Sequence, residues 1–166
     1  MGRVNPAMLD LPDATNRLLD ATAHMPFEIN PVVFPDGTKT SLDAAAAIGC
    51  QLSAITKSLV FMAGEDPVIV LMPGDLRVDP EKLAAVTGAA ARRATLEEAR
   101  IHTGFAAGGT PPFGYPRPIR TYADVRLRRH EELWAAGGTP TTVFPIDREA
   151  LIVATDAVWG DLAEGE

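Results

Sequence analysis

Along residues 54–72 the apolar and polar positions first alternate and then run together. Ile55, Lys57, Leu59 and Phe61 share one face of a period-two pattern, Ala54, Thr56, Ser58 and Val60 share the other, and Pro67 to Met72 are apolar without a break. Two such runs joined by Ala63 to Asp66 predict a β-hairpin. Elsewhere the spacing is helical. Thr15 to Met25 reads as a helix that Pro26 ends, followed by an extended Phe27 to Phe34 and a turn at Pro35-Asp36-Gly37. Thr40, with Asp43 three residues on, opens a second helix over Ala44 to Ala47 that Gly49 closes. Asp79-Pro80 and Gly88 bracket a third, and Thr95 with Glu98 opens a fourth that ends at Gly104. Ala89 to Ala94 and Ile119 to Ala123 read as strands, Asp124 to His130 as a short helical or irregular piece, and Leu133 to Ala136 with Thr141 to Pro145 as a strand pair around Gly137-Gly138-Thr139-Pro140. Asp147 caps a helix over Arg148 to Thr155, Ala157 to Trp159 is a last strand, and the acidic tail is expected to fray. Short strands mixed irregularly with helices predict one α+β domain with a mixed sheet over the whole 166-residue chain.

One stretch fits neither period. Gly104 to Gly114 holds four glycines and two adjacent prolines, so it is a loop whose backbone can approach a ligand closely and whose exit is stiff. It leaves a helix C-terminus, where the dipole disfavours anions, so any anion it holds falls to the Gly108 and Gly109 amides or to nearby arginines. A plain surface turn is the alternative. Lys57 is the other irregularity, a cation in the middle of an apolar strand face. It is paired or functional there, or else it snorkels or the register slips.

Composition narrows the chemistry. The net charge of −7 argues against general coating of nucleic acid, yet residues 92–130 alone carry +5, against −5 before them and −7 after them. Eight arginines there, Arg92, Arg93, Arg100, Arg117, Arg120, Arg126, Arg128 and Arg129, either meet a phosphate-bearing ligand or pair with Glu97, Glu98, Glu131 and Glu132. The N-terminus, interrupted by Asn5, Pro6, Asp10 and Pro12, lacks a secretory pattern, and no apolar run reaches a membrane span, so a cytoplasmic chain is expected. Cys50 stands alone as a small filler, and His24, His102 and His130 are scattered, so neither disulfide nor metal site is expected. No serine sits in a nucleophile elbow and no Gly-Lys-Ser/Thr phosphate loop occurs. A lysine, a loop able to present amides and local positive charge suit stabilisation of an oxyanion, as in hydrolysis of an activated ester.

Ile55-Thr56-Lys57-Ser58-Leu59-Val60-Phe61, then Gly108-Gly109-Thr110-Pro111-Pro112-Phe113-Gly114, then Gly137-Gly138-Thr139-Pro140 resemble, in that order, the YbaK family. These are free-standing relatives of the editing domain of bacterial prolyl-tRNA synthetases, and the similarity spans about Pro26 to Leu162. The resemblance implies a mixed, mostly antiparallel sheet ringed by helices, no metal or cofactor, and hydrolysis of the ester at the 3′ end of mischarged tRNA, with a synthetase as a possible partner. It also implies roles. Lys57 would counter charge on the aminoacyl carbonyl or contact the terminal nucleotide, Gly108 and Gly109 would present amides to the oxyanion, Thr110, Pro112, Phe113 and Gly114 would shape the substrate side of the loop, and Gly138 would line the aminoacyl pocket. Pro111 stands where many members carry serine. The alternatives are a non-catalytic module that binds tRNA or a synthetase, and a small-molecule esterase on the same scaffold.

Overall fold

The hairpin at the centre of the sequence pattern is the spine of the structure. In a computed structural model describing residues 11–38 and 40–165, β2 (Ile55–Ala63) and β3 (Asp66–Pro73) pair antiparallel in unbroken register from Thr56 opposite Pro73 to Ala63 opposite Asp66. Asn5, Pro6 and Asp10, which interrupt the N-terminal segment in the sequence, lie outside the described residues. The sheet runs β1 (Val32–Val33), β7 (Thr142–Asp147), β6 (Glu132–Ala136), β2, β3, β5 (Arg120–Asp124), β8 (Val158–Gly160), with β4 (Ala91–Arg93) also on β2. β2 with β6, β3 with β5 and β5 with β8 are parallel, and the other pairs are antiparallel. This is the mixed sheet expected.

Both faces of the sheet are covered, which is why β3 is apolar without alternation. Ile69 and Leu71 enter a cluster with Phe105, Phe113 and Phe144, while Val70 and Met72 enter one with Phe61, Leu83 and Leu162. All four β3 side chains are fully buried. Burial of each contributes about 1.5–3 kcal/mol relative to exposure.

The helices begin and end where their caps stand. α2 (Ser41–Ile48), α3 (Pro80–Thr87), α4 (Leu96–Thr103) and α5 (Arg148–Thr155) are capped by the side chains of Thr40, Asp79, Thr95 and Asp147, and Thr95 with Glu98 forms a reciprocal capping box. Gly49, Gly88 and Gly104 end three of them in the left-handed region. α1 (Asp13–Ala21) is shorter than expected, because the Thr22 hydroxyl donates back to the Leu18 carbonyl and the chain turns before Pro26. The extended segment from Phe27 enters the sheet at Val32–Val33, with the Phe34 N–H bonded on to the Thr141 carbonyl, and Pro31 before it has no N–H to give a ladder.

The tail does not fray as expected. Lys82 Nζ donates to the Asp161 carboxylate and to the carbonyls of Ala163 and Gly165, and Leu162 is fully buried. The fully buried Asp124 carboxylate accepts from the Leu162 N–H at 2.9 Å and from the Arg126 N–H and guanidinium, both at 2.9 Å. Among the described residues no helix is long and apolar enough to cross a membrane. Asp124→Ala strands these donors, so the unfolding free energy in urea should fall by about 3 kcal/mol at unchanged slope. A loss under about 1 kcal/mol would show that the carboxylate does not hold the tail.

Candidate active site

β2 is paired with β3 along one side, but its other side is interrupted. β6 meets it only at Ile55–Thr56 and β4 only at Phe61–Ala63, so Lys57 to Leu59 have no strand partner there. A cleft of about 200 Å³ opens in this gap. Thr40, Ser41 and Ala44 at the start of α2 form one wall, Trp134 to Ala136 of β6 a second, and Gly108 and Thr110 a third. Thr56, Lys57 and Ser58 form the floor.

The loop wall is held from behind. Gly109 donates its N–H to the Ala106 carbonyl and accepts the Gly138 N–H at 3.0 Å. A Cβ on Gly109 would lie 2.6 Å from Thr139 Cα, so only glycine fits. The Thr110 hydroxyl donates to the Ala106 carbonyl, and the Tyr115 hydroxyl donates to the Pro111 carbonyl at 2.5 Å. The N–H groups of Gly108 and Thr110 have no partner among the described residues. The expected pair of amides is therefore corrected. Gly109's is already bound within the loop, and the unoccupied donors belong to Gly108 and Thr110.

Other expected site residues stand behind the cleft. Phe113 is buried between Phe27 and Phe144, with ring centroids 6.2 and 5.9 Å away, and Gly114 packs on Leu18 of α1. Pro112, Phe113 and Gly114 border a separate depression beside α1. Gly138, with φ of +104°, is buried against the backbone of Ala14, where a Cβ would meet the carbonyl carbon at 2.9 Å. These residues buttress the loop and do not line the cleft.

Lys57 does line it. Its neighbours along the pleat, Leu59 and Phe61, belong to the cluster under α3, so its side chain leaves the strand on the face opposite Thr56 and Ser58, at the edge of the gap. The turn at Pro73-Gly74 folds back so that the Leu76 carbonyl accepts one Lys57 N–H at 2.5 Å. An ammonium has three donors, and no second partner stands among the described residues. Burial, then the charges of Arg93 and Arg77, push the Lys57 pKa down, with Asp75 opposing. Asp75 is itself held below the usual carboxylate range, chiefly by its hydrogen bond to Arg129. The floor is thus positive.

The arginine-rich stretch divides. Arg92 pairs with Glu98, as the ion-pair reading held, whereas Arg126 pairs with Asp124 and Asp161 and Arg129 with Asp75, carboxylates outside the four that reading named. Arg93 makes no ion pair among the described residues and borders the cleft. Two residues that border the site went unremarked as site residues in the sequence, Thr56 and Ser58, whose Oγ1 and Oγ are buried without any hydrogen-bond partner. Their signal was present as two hydroxyls on a strand face that continues into buried Val60. Ser53 Oγ lies 2.7 Å from His130 Nε2, but neither residue borders the cleft.

Residues 35–153 match the aminoacyl-tRNA editing domain family. Among curated relatives, the uncharacterized protein YwhH of Bacillus subtilis is 30% identical over 133 residues, which cover 79% of this chain and 85% of that one. EbsC of Enterococcus faecalis, named a candidate Cys-tRNA(Pro)/Cys-tRNA(Cys) deacylase, is 21% identical over 155 residues, covering 92% and 94%. A crystal structure of a candidate trans-editing enzyme for prolyl-tRNA synthetase superposes with a TM-score of 0.90 at 38% identity, covering 94% of this chain and all of that one.

The two loop glycines should differ sharply on substitution. Gly109→Ala drives a Cβ into backbone atoms that cannot swing aside, and should reduce stability by about 2 kcal/mol or more in urea unfolding. Gly108→Ala, whose Cβ would meet nothing closer than Pro140 Cγ at 3.8 Å, should lose only about 1 kcal/mol from its positive φ. Equal losses would contradict the packing described.

Proposed function

Because the chain belongs to the aminoacyl-tRNA editing domain family, we propose that it acts in trans as a deacylase, hydrolysing the ester that joins an amino acid to the 3′ end of a mischarged tRNA. The observation that supports this reading is that Lys57 lines the same cleft as Gly108 and Thr110, two loop residues whose N–H groups have no partner among the described residues. Water adds to the ester carbonyl carbon, and the carbonyl oxygen takes the negative charge. The two amides and the ammonium stabilise that charge, and the rigid loop supplies the donors without rearrangement. The carbon–oxygen bond to the ribose then breaks, the ribose oxygen takes a proton, and the free amino acid leaves.

Among the described residues no carboxylate or imidazole borders the cleft. The proton from the attacking water therefore passes to solvent or through the free hydroxyl of the terminal ribose. An aminoacyl ester is an activated bond, so electrostatic stabilisation without a protein base is sufficient to accelerate it.

Release of amino acid from a panel of mischarged tRNAs tests the proposal. Wild type should cleave at least one well above the buffer rate, and Lys57→Ala should lose about 10²–10³-fold in rate. Equal activity of Lys57→Ala and wild type would remove Lys57 from the reaction. Small aminoacyl esters cleaved as efficiently as tRNA, with no loss on adding salt, would favour a small-molecule esterase instead.

The pH dependence follows from the depressed Lys57 pKa. The ammonium is lost below the ordinary lysine value of 10.5, so the rate in excess of buffer should fall as pH rises through the lowered value. Stability moves the opposite way. Between the folded value and 10.5 the unfolded chain holds the extra proton, so this group's cost to folding is relieved as pH rises. A Lys57 ammonium titrating with the other lysines by nuclear magnetic resonance would contradict this.

A further inference from the structure

The Lys57 ammonium has one hydrogen-bond partner among the described residues, the Leu76 carbonyl at 2.5 Å, so the position of that carbonyl decides where the charge sits. The carbonyl belongs to the turn that follows β3, and the turn is pinned at three points. At its start the Gly74 N–H donates to the Ile55 carbonyl at 2.8 Å, and a Cβ on Gly74 would lie 2.7 Å from the Leu52 carbonyl oxygen. In its middle the Asp75 carboxylate accepts both arms of the Arg129 guanidinium, at 3.0 and 3.2 Å. At its end the Arg77 carbonyl accepts the Glu164 N–H of the tail at 2.8 Å. The outer two pins are backbone contacts. The middle one depends on two side chains, and its far partner stands on a rigid base. Arg129 ends a short helical turn, Val125–Arg129, which the buried Asp124 caps through the Arg126 N–H and which Leu127 anchors by full burial. Arg129 Nε is also engaged, by the Arg126 carbonyl at 2.9 Å. A planar guanidinium bound at all three nitrogens holds a carboxylate in one orientation.

The Arg129 and Asp75 side chains are 40% and 32% exposed, and a pair so open to water adds little to stability. Its place between the core and the seat of the ammonium gives it another use. The charged groups that face Lys57 are Arg93 of β4 and Arg77 and Asp75 of the turn. Burial and the two arginines disfavour the ammonium, and Asp75 opposes them. The hydrogen bond from Arg129 in turn holds the Asp75 carboxyl below the usual carboxylate range, so it stays charged. We propose that Asp75, anchored by Arg129, is a positioning residue for Lys57. It holds the turn whose Leu76 carbonyl seats the ammonium at the edge of the gap, and it sets a counter-charge near a group otherwise faced by Arg77 and Arg93. Neither Asp75 nor Arg129 borders the cleft, so both act through Lys57. The role rests on the deacylase reading, in which Lys57 meets the negative charge that develops on the ester carbonyl.

Asp75→Asn keeps the shape of the side chain and removes its charge. In the full chain, the Lys57 ammonium followed by nuclear magnetic resonance should then titrate at lower pH than in wild type. With the mischarged tRNA that wild type cleaves best, kcat at neutral pH should fall about 10- to 100-fold while KM stays within about twofold. Arg129→Gln, which leaves Asp75 charged but unanchored, should lower kcat to a similar extent. A general loss of stability would slow any variant, so the deciding comparison is made in the Lys57→Ala background. There Asp75→Asn should change the rate by less than about twofold, because the group it positions is gone. The same fold-loss in both backgrounds, or a Lys57 titration unmoved by Asp75→Asn, would overturn the assignment. The deacylase reading fails separately. A Lys57 titration that moves with Asp75→Asn, in a protein that cleaves no aminoacyl-tRNA, would refute that reading and leave Asp75 assigned to Lys57, whereas cleavage by wild type and Asp75→Asn at equal rates would do the reverse.

Discussion

Two glycine backbones in contact set the geometry on which the cleft depends. The Gly138 N–H reaches the Gly109 carbonyl at 3.0 Å, with the Thr139 backbone so close to Gly109 that no Cβ fits between them. On its other side the same turn packs against Ala14 and accepts the Thr15 hydroxyl on Gly137 at 2.7 Å. Loop 104–114, the β6–β7 turn and α1 are thereby locked as one unit. Phe113 fills the core behind it, and Tyr115 ties down Pro111. The consequence is a wall whose Gly108 and Thr110 amides are held in place before any ligand arrives.

Much of this was legible along the chain, because it was written locally. Helix caps at Thr40, Asp79, Thr95 and Asp147, and the β2–β3 hairpin, depend on residues a few positions apart, and the structure has them where the pattern predicts. The gap beside Lys57 depends instead on where β4 and β6 stop pairing with β2, strands that lie about thirty and seventy residues further along. No local pattern encodes that. The glycines mislead for a related reason. Gly109 and Gly138 look like ligand-binding glycines, yet their freedom from side chains is used to bring backbone against backbone. The strapped tail likewise follows from Lys82 and Asp124, distant residues whose partners an acidic terminal sequence does not announce.

The cleft is also the place where the protein is least satisfied. Thr56 and Ser58 keep buried hydroxyl oxygens without partners, and Lys57 keeps a half-buried ammonium with one hydrogen bond, next to Arg93 and Arg77. Each of these costs free energy in the empty protein. Elsewhere Arg92, Arg126, Arg129 and Arg148 pair with carboxylates, and the buried Asp124 finds partners in Arg126 and Leu162. Unmet polar groups gathered in one cleft are what a site complementary to a polar, anionic ligand requires.

The central claim is that the Gly108–Thr110 wall and Lys57 hold the reacting carbonyl. A crystal structure with a 3′-aminoacylamino-adenosine, in which a stable amide replaces the ester, tests it most directly. The account predicts the carbonyl oxygen about 3 Å from the Gly108 or Thr110 nitrogen, with Lys57 turned to the ligand. A ligand seated elsewhere, such as the apolar depression beside Phe27 and Val153, or one in the cleft with its carbonyl turned from that wall, would contradict it.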